Sequence, residues 1–300
     1  MMEKSNEGVT EGRNPNTENL DALSVMEIVK KINEEDKKVA LAVEQELESV
    51  AKAVELIVES LENGGRLFYF GAGTSGRLGV LDAAECPPTF GTDPGLVQGF
   101  MAGGLGALVE AVEGAEDEPE KGREDVEKAG VRAGDVVVGI AASGRTPYVL
   151  GALTEAKKRG AKTVSLSCNR GAAISALADV AIAPIVGPEV ITGSTRMKAG
   201  TAQKMVLNML TTASMVRLGK VYGNLMVHVQ ATNSKLKERV KKIICEATGC
   251  TRLEAEELAE LAQGDARVGI LMKLKGITAD KARRQLDLAG GRIRKALEKE

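Results

Sequence analysis

Three hundred residues, 43% of them apolar, are enough to build a sizeable core and one main domain with additions. With four Phe, three Tyr and no Trp, that core must come from Val, Ile, Leu, Ala and Met. A net charge of −2, with no long basic run and no aromatic residues interleaved with basic ones, argues against a nucleic-acid surface.

Residues 1–20 are polar and acidic and read as a flexible tail, neither a signal peptide nor a membrane anchor. Ser24 and Glu27 form S-x-x-E, a capping box that opens a short helix. Val39, Val43, Leu47, Val50, Val54, Ile57, Val58 and Leu61 recur at spacings of three and four, which predicts one helix over 37–61. Asn63-Gly64-Gly65 ends it. Strands and helices then alternate. "RLFYFGAG", "GLVQGFMAGG", "DVVVGIAASG", "KTVSLSCN" and "DVAIAPIV" read as five strands, with helices at about 76–84, 105–113, 119–129, 146–159 and 198–219. Repeated βα units predict an α/β fold with a doubly wound parallel five-stranded sheet. After about residue 220 strands are expected to stop. The remaining segments read as short helices, and Thr251 and Glu254 form a second capping box. This closing part is similar to a three-helix module of the ubiquitin-associated type. The expected division is 1–54 (tail and helices), 55–220 (the sheet domain) and 221–300 (closing helices, with the module at about 240–300).

Cys86, Cys168, Cys245 and Cys250 make no C-x-x-C pair and predict no disulfide framework. His228 is the one histidine, so a multi-histidine metal site is excluded. No apolar run approaches the ~20 residues needed to cross a bilayer. The chain reads as a cytoplasmic protein with reduced thiols.

Two loops carry the candidate chemistry. Gly71, Gly73 and Gly76 match G-x-G-x-x-G at the end of the first strand. Thr74 and Ser75 put hydroxyls into that loop, and no acid follows the second strand, where Gly103, Gly104, Leu105 and Gly106 stand. Both points weigh against a dinucleotide. The second loop, "AASGRTPYV" (141–149), sets Ser143, Gly144 and Thr146 at a helix start. Unpaired N–H groups and the helix dipole there suit a phosphate. The same residues could simply be helix caps. No G-x-x-x-x-G-K-[ST] is present, so the P-loop reading fails.

Two carboxylates stand out. Glu85 precedes Cys86-Pro87-Pro88, which is expected to lie outside a helix interior because proline lacks the N–H and clashes with the preceding turn. Its neighbours Ala83, Ala84 and Cys86 are apolar. A carboxyl in such surroundings holds its proton to higher pH and can act as an acid. Glu116, in "EGAED", falls in a connection before Pro119, where an acid is ordinarily just solvated surface. Two carboxylates beside a phosphosugar suggest acid–base chemistry without a metal.

The runs "GAGTSGRLGVLDAAECPPTFGTDP", "EGAED", "ASGRTPYV", "VGPEVITGSTRMKAGTAQKMVLNMLTT" and "GKVYGNLMVHVQATNSKL" resemble the N-acetylmuramic acid 6-phosphate etherases of the sugar-isomerase (SIS) superfamily. The resemblance implies a Rossmann-like SIS domain and a homodimer that needs no metal or nucleotide. It also implies cleavage of the ether between sugar C3 and D-lactate, giving N-acetylglucosamine 6-phosphate. By resemblance, Glu85 is the proton donor to the departing lactate and Glu116 the base at C2. Ser143 and Thr146 would hold phosphate, with Gly144 allowing close approach. Thr74, Ser75 and Gly76 would line the sugar. Ser194 and Thr195 would reach the ligand from the start of the long helix. Glu189 is either a site residue or a structural loop acid. Three positions depart from the pattern. Ala141 stands where related loops carry a hydroxyl, Ala84 where members often have Ser, and His228 where they often have Asp. The ring-opening group is therefore open: His228 either serves it or is an interfacial or surface residue on a helix. The other readings are a non-catalytic phosphosugar-binding regulator, a phosphosugar isomerase and, more distantly, a dehydrogenase.

Overall fold

The computed structural model describes residues 8–110, 112–229 and 234–298. The chain divides into two compact units: Met1–Ala84 with Gly95–Thr211, and Glu85–Pro94 with Thr212–Glu300.

The first unit is built on β1 (Leu67–Gly71), β2 (Val97–Met101), β3 (Val136–Ile140), β4 (Lys162–Leu166) and β5 (Val180–Ile182). They form one parallel sheet in the order β2-β1-β3-β4-β5, as expected from the alternating pattern. Every residue of β1 and β3 is buried, and "DVVVGIAASG" reads as a near-continuous apolar run for that reason; "DVAIAPIV", apolar in the same way and expected to be covered on both faces, gives β5 with only Ile182 buried. Asp135 aligns the starts of these two strands: its carboxylate accepts from Arg66 N at 2.9 Å and from Arg66 Nη2 at 2.8 Å. At their other ends Gly71 pairs with Ile140. The chain leaves β1 toward β2 and returns across it to β3, so the strand order reverses there. The crevice at the carboxyl ends of β1 and β3 is the ligand position in such sheets.

Helices α1 (Val25–Glu44) and α2 (Leu47–Glu62) replace the single helix predicted over 37–61, and the Ser24 capping box opens α1. A tertiary contact lies at the break: Glu46 Oε2 accepts from Ala183 N, just past β5, at 3.1 Å. Residues 8–20 are not a loose tail. Thr10, Asn14 and Thr17 are buried; Asn14 Nδ2 donates to Pro188 O at 3.1 Å and Thr17 Oγ1 to Val190 O at 2.9 Å. Residues 1–7 of the expected tail lie outside the described residues.

α3 spans Gly73–Phe90, longer at both ends than the predicted 76–84, and carries Pro87 and Pro88 inside it. Both prolines fall in its last turn, where only two N–H groups are lost. Ala84, one of the carbonyl partners forgone, is exposed to solvent. The helix predicted over 105–113 is instead a 3-10 turn at Leu105–Leu108, and Ala111 lies outside the described residues. A second 3-10 turn, Ala115–Asp117, leads into α4 (Pro119–Lys128); α5 (Pro147–Lys158) and α6 (Lys198–Arg217) match their predicted places.

In the second unit, strands do not stop at 220. β6 (Val221–Tyr222) and β7 (Leu225–Met226) form a small antiparallel hairpin around Gly223-Asn224, with Gly223 at φ +59°. A two-residue Gly-Asn link is a hairpin signal in its own right. Five helices follow among the described residues, in the segments expected to be short helices: α7 (Ser234–Thr248), α8 (Arg252–Leu261), α9 (Ala266–Lys275), α10 (Ala279–Leu288) and α11 (Ile293–Glu298). They share a core that includes Ile244, Ala255, Ile270, Leu271, Ala282 and Leu286. The predicted capping box of Thr251 and Glu254 opens α8. No helix among the described residues is long and apolar enough to cross a membrane.

Candidate active site

The first loop runs from Gly71 into the start of α3. It docks on α6: the position of a Cβ on Gly200 lies 3.3 Å from the Thr74 methyl and 3.5 Å from Thr195 O. Thr74 and Thr195 are thus brought together at one place. Ser75 is not placed as expected. It is buried, and its hydroxyl donates to Gln203 Oε1 at 2.9 Å, so it anchors the loop to α6 instead of facing a sugar. Gly76 has no room for a side chain: a Cβ would stand 2.5 Å from Met101 Cβ and 2.8 Å from Gly71 O. Its role here is close packing of α3 on the sheet.

Glu116, on the Ala115–Asp117 turn, is exposed and lines a cavity of about 320 Å³ with Gly73, Arg77, Met101 and Ala102. The candidate base therefore faces the first loop at the carboxyl end of β1. Arg77 shapes this cavity by donating through Nη2 to Ala107 O at 2.6 Å and through Nε to Leu108 O at 3.0 Å, which holds the Leu105–Leu108 turn against α3.

The second loop follows β3. Gly144 sits at φ +69°, and a Cβ there would meet Ala172 Cβ at 2.2 Å, so only glycine fits. Ser143 Oγ accepts from Arg145 N at 3.3 Å. Thr146 is the N-cap residue of α5 but makes no side-chain capping bond. The plain capping role considered for Thr146 therefore does not describe it. A cavity of about 700 Å³ opens at this loop, lined by Ser143, Arg145, Asn169, Arg170, Ala173 and Gly8 among others. Arg145, Arg170, Asn169 and the N-terminal Gly8 escaped the sequence reading. The signal was available: "SCNRGAA" also ends a parallel strand, β4, on the ligand side of the sheet. Cys168 in this segment is buried; burial, then the nearby Glu189, push its thiol up to about 12, so it stays protonated at neutral pH.

Glu189 is fully buried. Its Oε2 accepts from Lys198 N and its Oε1 from Ala199 N, both at 2.9 Å, which caps the otherwise open N-terminus of α6. Of the two roles considered for it, this is the structural one. Ser194 and Thr195 lie partly exposed in the turn just before α6. Lys198 extends its ammonium to Glu35 Oε2 at 2.7 Å, a buried ion pair.

Glu85 belongs to the second unit. It is inside α3, not in an irregular stretch, and it is exposed, while Ala83 and Cys86 on either side are buried. The apolar setting expected from its neighbours is absent because they point to the opposite face. His228 lies in the turn after β7, not on a helix. Its Nε2 is buried without a hydrogen-bond partner among the described residues. Burial, then the charges of Arg267 and Lys220, push its imidazole down to about 4. Gln230 to Asn233, part of the resemblance, lie outside the described residues. Among those described, no group of three or more His, Cys, Asp or Glu forms a metal-ligand cluster.

Two family models match: the glucokinase regulatory protein N-terminal SIS domain over residues 49–157 and the SIS domain over 115–213. Named relatives match over nearly the whole chain. The N-acetylmuramic acid 6-phosphate etherase of Mycolicibacterium smegmatis is 59% identical over 96% of this chain and 97% of its own. Those of Aliivibrio fischeri and Geobacillus thermodenitrificans are each 55% identical over 96% of this chain and cover 96% and 98% of their own. With the five-stranded parallel sheet, the two strand-end loops and an acid facing the first of them, this similarity places the chain in the N-acetylmuramic acid 6-phosphate etherase family of SIS-domain enzymes.

Proposed function

We propose that this protein cleaves the D-lactyl ether of N-acetylmuramic acid 6-phosphate by elimination and rehydration, releasing D-lactate and N-acetylglucosamine 6-phosphate in cell-wall amino sugar recycling. What supports the reading is the 59% identity to a named etherase over nearly the whole chain, together with Glu116 lining a cavity with Gly73 of the first loop; Ser143, Gly144 and Thr146, on the loop after the neighbouring strand β3, would hold the phosphate.

An ether resists direct displacement. With the sugar ring open, C1 is an aldehyde and the C2 proton becomes acidic. Glu116 removes that proton, the C2=C3 double bond forms, and the C3–O bond breaks. Glu85 gives the departing lactate oxygen its proton. Water then adds at C3 and a proton returns to C2. Each positioned proton transfer contributes about 10²–10⁴-fold. The phosphate, held away from the reacting carbons, supplies orientation that is spent at C2 and C3. Thr74, Thr195 and Ser194 surround the sugar in this reading. The protein acts in the cytoplasm as a homodimer.

The test is lactate release. Incubated with N-acetylmuramic acid 6-phosphate, the protein is expected to release D-lactate, and far more slowly from the unphosphorylated sugar. Tight phosphosugar binding without lactate would make it a sensor instead.

A further inference from the structure

The second loop, which carries Ser143, is braced from the neighbouring strand β4. Asn169, just past β4, is 6% exposed and directs its side-chain amide at that loop. Nδ2 donates to Ala142 O and to Ser143 O, each at 3.3 Å, and to Thr10 Oγ1 at 3.0 Å. Those two carbonyls belong to the two peptide groups that follow Ala142 and Ser143. Peptide groups are planar. Holding both oxygens fixes the planes on either side of Ser143, and with them the direction of its Cα–Cβ bond. The amide cannot be reversed, because two of its three partners are carbonyls that only accept. Its Oδ1 is buried with no donor among the described residues, a cost the fold carries to keep this orientation.

Asn169 is itself held. Its carbonyl accepts from Ser167 Oγ at 3.0 Å. Thr10, 1% exposed, lies on the Val9–Glu11 turn, and the segment is fastened further on by Asn14 and Thr17. Gly8 lies flat on the amide: a Cβ there would be 2.7 Å from Asn169 Cγ and Oδ1, although its φ of −61° suits any residue. Glycine at position 8 is thus a matter of space alone.

We infer that Asn169 is a positioning residue for the phosphate loop, aiming Ser143 into the cavity, and that residues 8–10 form the strap that holds Asn169 in place. This rests on the reading that Ser143 and its loop receive the phosphate. The N-terminal segment is then part of the substrate site without touching the reacting carbons.

The experiment measures kcat and KM on N-acetylmuramic acid 6-phosphate, with the Ki of inorganic phosphate, for Gly8→Ala, Thr10→Val, Thr10→Ser and Ser143→Ala. Loss of one hydrogen bond in the chain predicts about three- to tenfold higher KM and Ki for Gly8→Ala and Thr10→Val. Their kcat should stay within about twofold, since the carboxylates are untouched, and Thr10→Ser should restore wild-type values. If Ser143→Ala raises KM and Ki but Gly8→Ala and Thr10→Val do not, the strap does not position the loop and the inference falls alone. If Ser143→Ala changes neither constant, the loop does not receive phosphate and both readings fall. A kcat loss in Thr10→Val that Thr10→Ser fails to rescue would also overturn the inference.

Discussion

Gly151 of α5 lies directly against the carbonyl of Pro119, the first residue of α4: a Cβ on Gly151 would stand 1.9 Å from Pro119 O. The contact is reciprocal, since a Cβ on Gly122 would stand 1.9 Å from Tyr148 O, and Tyr148 OH donates to Asp125 at 2.8 Å. The turn carrying Glu116 ends at α4, and the loop carrying Ser143 and Thr146 begins α5. The crossing of these two helices therefore joins the elements that carry the candidate base and the candidate phosphate loop.

Gly151→Ala is expected to force the helices apart, because the obstacle is backbone and cannot rotate away. Overpacking of this kind costs about 1–3 kcal/mol. We expect a lower melting temperature together with a fall in kcat/KM beyond what the remaining folded fraction explains. Unchanged kinetics at full folding would separate the crossing from the site.

Glu85 and Glu116 are both exposed, so replacing either should leave stability within about 0.5 kcal/mol. Glu85→Gln and Glu116→Gln should each lower kcat by about 10²–10⁴-fold. A variant that keeps wild-type turnover would remove that residue from the mechanism.

The Glu35–Lys198 pair predicts an acid-side signature. Burial pushes the Glu35 carboxyl up, but hydrogen bonds from Lys198, Lys38 and Asn16 outweigh it and hold it at about 2, against an ordinary 4.5. The folded value is depressed, so the stabilisation is present above pH 4.5 and is lost as pH falls from there toward 2. Glu35→Gln should flatten that limb of a stability-against-pH curve. At neutral pH it should cost about 3–5 kcal/mol by stranding a buried ammonium. Identical acid limbs for both proteins would contradict this.

His228 titrates in a different window. Its imidazole is held at about 4 in the fold against 6.5, so the folded form keeps it neutral. That contribution to stability is intact above pH 6.5 and drains away between 6.5 and 4 as the unfolded chain takes up the proton first. His228→Gln should remove the slope in this range, as read from denaturant midpoints at stepped pH. A slope that survives the substitution would assign it to other groups.

Much of this was legible in the chain. β3 was legible because a strand buried on both faces must be apolar throughout, although the same signal misled at β5, where only Ile182 is buried; the Ser24 and Thr251 caps are local chemistry. What escaped was set by tertiary contacts. At the α1/α2 break, Glu46 accepts from Ala183, far away in sequence. Ser75 looked like a ligand hydroxyl, and only the packing of α6 shows it bonded to Gln203. Glu85 was judged by its sequence neighbours, but neighbours on a helix point in different directions. Asn169 and Thr10 are 159 positions apart, and no local pattern joins them.

The central claim is that the ether is broken at C3 by elimination. It is tested by running the reaction on N-acetylmuramic acid 6-phosphate in ¹⁸O-labelled, deuterated water and fragmenting the products by mass spectrometry. The account predicts ¹⁸O at sugar C3, deuterium at C2 and unlabelled oxygen in the D-lactate hydroxyl. Label in the lactate hydroxyl, with C2 retaining its original hydrogen, would mean attack at the lactyl carbon and would contradict it.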